Sequence, residues 1–210
     1  ISGLQPVSYY SVAVRALCGD NDYSRWSDTI TILTDCGLIT EFPWSEDFNA
    51  YASGKYFTQD CWINQHTQLD AAGSTYGSYV FKTMTTTLNG VSYQVMQLPN
   101  QKAGNKTMLV GPQMLFSADQ PLEFAIDVYR SHYSTMKNNE GLRIYVSTSD
   151  TIDANAQLLA FIPRQYNISG VNVGPIDTVR WESYRFQLPA VGAGHIIIEG
   201  VSENGALTNF

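Results

Sequence analysis

The feature that most constrains this chain is a side-chain period of two that returns in run after run. Tyr10, Val12, Val14 and Ala16 alternate with Ser11, Ala13 and Arg15, and Ile30 and Ile32 alternate with threonine inside Thr29 to Thr34. Leu122, Phe124, Ile126 and Val128 form a further run, as do Leu142, Ile144 and Val146, and Tyr184, Phe186 and Leu188 run opposite Trp181, Ser183 and Arg185. Successive side chains of an extended strand point to opposite faces, so these runs predict strands with one buried face. Thirteen Tyr and nine Phe, with many Val, Ile and Thr, suit a pleated surface, while Gly, Asn, Asp and Pro fall between the runs where turns belong. Only Asp153 to Phe161 reads as helical, about two turns capped by Asp150 or Asp153 and leading into a strand. Strands at short intervals without helical crossovers pair antiparallel. The expected fold is therefore all-β, an antiparallel β-sandwich of the jelly-roll kind.

Composition narrows the function classes. The 210 residues are 44% hydrophobic and 15% charged, which suits a packed core and argues against disorder. The net charge is -7 and the twelve basic residues are scattered, so no clustered cations await a phosphate backbone and no nucleic-acid partner is expected. No apolar run approaches the ~20 residues that cross a bilayer as a helix, so no direct membrane insertion is expected. Residues 1 to 30 carry no signal-peptide pattern. The opening Ile-Ser-Gly and the stop at Phe210 inside an apolar pattern suggest a piece of a longer polypeptide with further domains. A composition break at Thr34 to Pro43 divides the sequence into residues 1–36 and 37–210.

Cys18 leaves one predicted strand and Cys36 ends the next. An antiparallel hairpin would bring the two within disulfide reach, and such a bridge implies an oxidising compartment. The alternative is that Cys18, Cys36 and Cys61 are all small buried thiols.

In residues 1–36, Leu4-Gln5-Pro6-Val7-Ser8-Tyr9-Tyr10, the alternation through Val12, Val14 and Ala16, then Ser24, Trp26, Ser27 and a strand ending at Thr34 resemble the C-terminal end of a fibronectin type III domain. The resemblance implies a strand hairpin in which the Tyr10 hydroxyl bonds to the chain just upstream. A lone hairpin is marginal in water. Its apolar face, with Val12, Val14 and Trp26, is thus expected to pack on the following domain or on a neighbouring chain.

Residues 37–210 carry Pro43-Trp44-Ser45-Glu46-Asp47-Phe48, Cys61-Trp62, Met108-Leu109-Val110-Gly111-Pro112 leading to Leu122-Glu123-Phe124, Leu142 to Ser149, Trp181 to Leu188, and His195 to Ser202. In this order the segments resemble bacterial jelly-roll modules related to the cleaved-adhesin and MAM-like domains of Bacteroidetes surface proteins. The resemblance implies a bacterial cell-surface or secreted adhesion module that binds a glycan or a host or matrix protein. It also implies truncation before a last acidic strand, and a calcium ion held in part by Glu46 and Asp47 through hard oxygen ligands. The alternative for both residues is a pair of solvated edge charges.

Catalytic signals are sparse. His66, His132 and His195 are far apart and form no HExxH or His-x-His pattern, and there is no Gly-x-Ser-x-Gly elbow or phosphate-cradling glycine loop. A glycosidase would require carboxylates to converge from Glu123, Asp127, Glu182 and Glu199; outward-facing strand charges explain them more simply, and no enzyme is expected. Trp44, Trp62 and Trp181 read as core fillers. Sugar binding by a β-sandwich relies on exposed aromatics, for which Tyr129, His132 and Tyr133, with Arg130, and Tyr76 and Tyr79 are the candidates. A structural spacer is the rival reading, and a polysaccharide-active enzyme the third.

Overall fold

The computed structural model describes residues 2–6, 8–69, 80–88, 90–99, 102–130, 140–163 and 180–202. Among these the chain is all-β, with fourteen strands and no helix. The N-terminal strands are β1 (Tyr9–Val12), β2 (Leu17–Gly19), β3 (Asp22–Tyr23) and β4 (Ile30–Leu33). Then follow β5 (Ile63–Gln68), β6 (Lys82–Leu88), β7 (Val91–Gln97), β8 (Lys106–Val110), β9 (Met114–Phe116) and β10 (Glu123–Arg130). The last are β11 (Gly141–Ser147), β12 (Gln157–Pro163), β13 (Arg180–Gln187) and β14 (Gly192–Val201).

The first four strands make an arm. β1 pairs with β4 from Tyr9↔Leu33 to Val12↔Ile30, and β2 pairs with β3 farther along the same hairpin. At the root, the Gln5 amide donates to Tyr10 Oη at 2.8 Å, so the upstream bond expected of Tyr10 forms. Thr34 Oγ1 reinforces it, donating to the Gln5 carbonyl at 2.6 Å and accepting from the Ser8 amide at 2.9 Å. The arm meets the body there: Gln59 Nε2 donates to Tyr9 Oη at 3.1 Å. A cleft of about 270 Å³ lies between Gln5, Pro6 and Ser8 of the arm and Phe42, Pro43 and Trp44 of the body. Beyond the root the expected cover is not found among the described residues. Val12 is half-buried, but Val14 and Trp26 are 65% and 61% exposed. In place of packing, the Arg15 guanidinium sits 3.9 Å from the Tyr23 ring centre and 4.6 Å from that of Trp26, a cation-π arrangement that shields both rings in part.

The disulfide joins Cys36 to Cys61, not Cys18 to Cys36; Cys18 is free and exposed. The register explains the correction. With Tyr9 opposite Leu33, Cys36 lies past the root, whereas Cys18 lies in β2 at the far end. At about 3.4 Å per residue the two are separated by tens of ångströms, far beyond the ~7 Å Cα limit for bridging. The observed bond has a Cα–Cα distance of 5.1 Å and ties the end of the arm to the segment entering β5.

The body is a sandwich. Its large sheet runs β12-β11-β14-β8-β5, and β9 also pairs with β14. β8 and β9 follow the same neighbour on either side of Gly111-Pro112-Gln113, and proline, which has no amide to donate, falls in the break. Ile39 bridges β9 in parallel through its own amide and carbonyl and is buried in the core. The ribbons β6–β7 and β10–β13 supply the opposing apolar side chains. Leu109, Leu142, Ile144, Val146 and Ile162 of the large sheet share one core with Phe81, Leu98, Phe124, Ile126 and Phe186. An aromatic cluster closes one part of it, with Phe57 edge-on to Phe48, Tyr51 and Trp62 at 5.7, 4.9 and 5.5 Å.

The helical expectation for Asp153 to Phe161 is overturned. Asp153 Oδ1 accepts from the Asn155 amide at 2.8 Å to shape a turn, and Gln157–Pro163 is the edge strand β12, paired along β11. Two turns of helix do not stand alone, and the sheet edge offered by β11 satisfies the same backbone groups while burying Ile162.

Two glycines in β14 mark close approaches, one to the Leu98 side chain and one to the neighbouring strand β11. A Cβ on Gly200 would overlap the Leu98 side chain, and a Cβ on Gly194 would lie 2.6 Å from the Ser147 carbonyl oxygen. Backbone cannot step aside as a side-chain tip can, so Gly194→Ala should cost about 1–3 kcal/mol, seen as a lower urea midpoint at unchanged m-value. A midpoint equal to the parent's would contradict this packing.

Candidate functional site

β10 and β13 pair from Glu123↔Gln187 to Arg130↔Arg180 with no break in register, so their side chains separate into two faces. Phe124, Ile126, Tyr184 and Phe186 face the core. Glu123, Ala125, Asp127 and Tyr129, opposite Gln187, Arg185, Ser183 and Trp181, make four rungs on the outward face. The last rung is aromatic, with ring centres of Tyr129 and Trp181 5.4 Å apart. Tyr93 of β7 lies 5.7 Å from the same indole, so two ribbons contribute to one shelf of three rings. Tyr93 is 37% exposed, and Tyr129 and Trp181 are half-buried. Trp181 Nε1 is buried with no hydrogen-bond partner among the described residues, so ring contacts hold the indole in place.

The remaining rungs are polar and mutually paired. Ser183 Oγ donates to Asp127 Oδ1 at 2.5 Å. Arg185 Nη1 donates to Glu123 Oε1 at 2.7 Å, and Gln187 Nε2 donates to Glu123 Oε2 at 3.3 Å. The Arg185 side chain is 68% exposed, and its pKa is raised chiefly by the hydrogen bond to Glu123 and then by the charge of Glu123. With Arg185 offsetting Glu123, the four rungs carry one net negative charge, that of Asp127.

Of the residues proposed from sequence for ligand contact, Tyr129 lies on this shelf; His132, Tyr133, Tyr76 and Tyr79 lie outside the described residues, as does the side chain of Arg130. Trp181 corrects an expectation. Trp44 and Trp62 pack against the core as expected, but Trp181 stands on the outward face. Its alternation with Ser183 and Arg185, against Tyr184, Phe186 and Leu188, is the sequence signal for that placement. Tyr93 was not among the candidates. The signal that marks its strand is Asn89-Gly90 between two alternating runs, a two-residue hairpin pattern, and Gly90 has φ +80° between the paired Leu88 and Val91.

Glu46 and Asp47 serve the loop that follows them. Glu46 Oε1 accepts from the Phe48 amide at 2.6 Å and Oε2 from the Tyr51 hydroxyl at 2.9 Å; Asp47 accepts from the Asn49 amide and side chain at 2.9 and 2.8 Å. The Asn49 donors, the amide foremost, hold the Asp47 carboxyl below the usual aspartate range, while burial and then Glu46 push the Tyr51 phenol well above the tyrosine range. Among the described residues no group of three or more His, Cys, Asp or Glu is placed to hold a metal ion. A calcium shell needs six to eight oxygens; Glu46 and Asp47 supply four, and each of these accepts one hydrogen bond from the loop.

The four carboxylates weighed for glycoside hydrolysis are spread over separate faces. Glu123 and Asp127 are on the outward rungs, and Glu182 accepts from Tyr184 Oη at 2.5 Å on the other face of β13. Glu199 is in the large sheet, 5% exposed, with Arg143 Nη1 at 3.5 Å and Tyr145 Oη at 3.3 Å. Burial and then the Glu199 charge raise the Tyr145 pKa. Of the histidines, His195 lies within β14, where Nδ1 contacts the Gly111 carbonyl at 2.8 Å, and His66 lies within β5.

Comparison with known protein families, with characterised proteins and with solved structures finds no match for this chain.

Proposed function

We propose that this chain is a non-catalytic binding module of a bacterial cell-surface or secreted protein, and that it recognises a glycan. The observation that carries the reading is the shelf of Tyr93, Trp181 and Tyr129, three rings gathered on the outward face of a sandwich whose other described tryptophans near a core, Trp44 and Trp62, pack inward. Aromatic faces present an electron-rich surface to the C–H face of a pyranose, and the adjacent Asp127, Ser183 and Arg185 offer donors and acceptors to its hydroxyls. The Cys36–Cys61 bond is compatible with an oxidising, extracellular setting. The polar rungs beside the shelf, Asp127, Ser183 and Arg185, are exposed to solvent, and the rings of the shelf are tilted 56–58° to the indole.

A glycan array probed with the whole chain tests the reading. Binding should be present and should fall at least about tenfold in Trp181→Ala, equivalent to about 1.4 kcal/mol. Because Trp181 is half-buried, Tyr93→Ala provides a second variant that removes a more exposed ring. An array with no bound glycan, or with binding indifferent to both substitutions, would overturn it. A spacer role is the second reading, favoured by the uncovered Val14, Leu17 and Ile30 of the arm, which are 65%, 69% and 60% exposed and suit contact with another part of a larger assembly. A silent array with intact fold favours the spacer.

A further inference from the structure

We infer that the outward face of β10 and β13 is a linear track for an extended, neutral polysaccharide, with the aromatic shelf as one end of it; this rests on the glycan reading above. Three observations converge. First, the face is continuous: four rungs in unbroken antiparallel register run from Tyr129 and Trp181 to Glu123 and Gln187. At about 3.4 Å per residue, six residues of strand span roughly 20 Å, the reach of several pyranose units. Second, the face is open along this length. Ala125, Asp127, Ser183, Arg185 and Gln187 are all exposed, and the third rung pairs the smallest side chain of the set, Ala125, with Arg185. A terminal sugar is gripped by a concave pocket; an exposed row of hydrogen-bonding rungs takes the middle of a chain.

Third, the charge disfavours an acidic polymer. On the four outward rungs Arg185 is the lone cation, its guanidinium is held by Glu123, and the Arg130↔Arg180 pair falls at the alternate register position. A uronate would have to displace Glu123 from Arg185 and approach Asp127 as well, like charge on like. A neutral sugar meets no such penalty. Its hydroxyls donate to Asp127 and Glu123, whose carboxylates retain free lone pairs, and accept from the guanidinium N–H groups that Glu123 does not occupy.

Calorimetric titration of the whole chain with cellobiose, cellotetraose and cellohexaose, the matching xylo-oligosaccharides, and hexagalacturonate as the acidic probe tests the track. Affinity for the hexasaccharide of at least one neutral series should exceed that for its disaccharide by about tenfold or more, with hexagalacturonate weaker than either. Ser183→Ala and Arg185→Ala, both on exposed rungs beyond the shelf, should reduce hexasaccharide binding severalfold while sparing the disaccharide; Trp181→Ala should weaken both. Equal affinity at every length, or preference for hexagalacturonate, overturns the track while Trp181-dependent array binding leaves the glycan reading standing. No binding to any of these probes overturns the track, and an array that is silent as well removes the reading beneath it.

Discussion

Ile144→Ala lowers the unfolding free energy by about 4 kcal/mol, the largest loss expected from any single truncation discussed here. Ile144 is completely buried in β11, the strand between β12 and β14, opposite Ala160 on one side and Ile198 on the other. Its side chain joins the core shared with Phe124, Ile126 and Phe186 of the opposing ribbon. Truncation removes three carbons from a site hemmed in by sheet backbone, where neighbours cannot relax inward, so the transfer loss and the cavity add. Urea unfolding followed by tryptophan fluorescence reads the change. The control is Leu158→Ala in edge strand β12, where the side chain is 54% exposed and the cost should stay below about 1 kcal/mol. Similar losses at the two positions would mean that the interior is not where this packing puts it.

Replacing both Cys36 and Cys61 by serine removes about 3 kcal/mol. The bond spans 25 residues of sequence, and opening it restores to the unfolded chain the freedom that this closed loop denies it. For a chain of this length such a loss corresponds to a fall in Tm of roughly 6–12 °C. Cys18→Ser is the matched control, because Cys18 is exposed and unbonded, and its melting should stay at the parent value. If the Cys18 variant melted as low as the double variant, the pairing expected from sequence would be right and the observed one wrong, because both pairings lose their bridge with Cys36. Mass mapping of the non-reduced protein distinguishes the two pairings directly.

The contrast between these residues shows what was legible in sequence. Ile144 stood in an alternating run whose partners at Leu142 and Val146 are also buried, because a period of two fixes the face of a strand without reference to the rest of the molecule. The cysteines were different. Which of three thiols meet depends on register and on where the chain returns, and both are long-range facts absent from local pattern. The turn at Asp153 failed for a different reason: its local helical preference lost to pairing with the edge of β11, the strand just before it. The aromatic shelf sits between these cases. Trp181 was legible as outward-facing from its own strand, whereas its meeting with Tyr93 depends on two ribbons coming side by side, which no alternation encodes.

The Cys36–Cys61 bond also decides where mechanical load travels. Tension applied to the arm reaches Cys36 and passes through the sulfur bridge straight to the start of β5. Residues 37–60, which include Trp44, Phe48, Tyr51 and Phe57, form a loop spanned by that covalent shortcut and lie off the shortest covalent path between its ends. A module held under flow would keep this aromatic cluster off that path for as long as the bridge stays oxidised, and reduction would place it in line with the load.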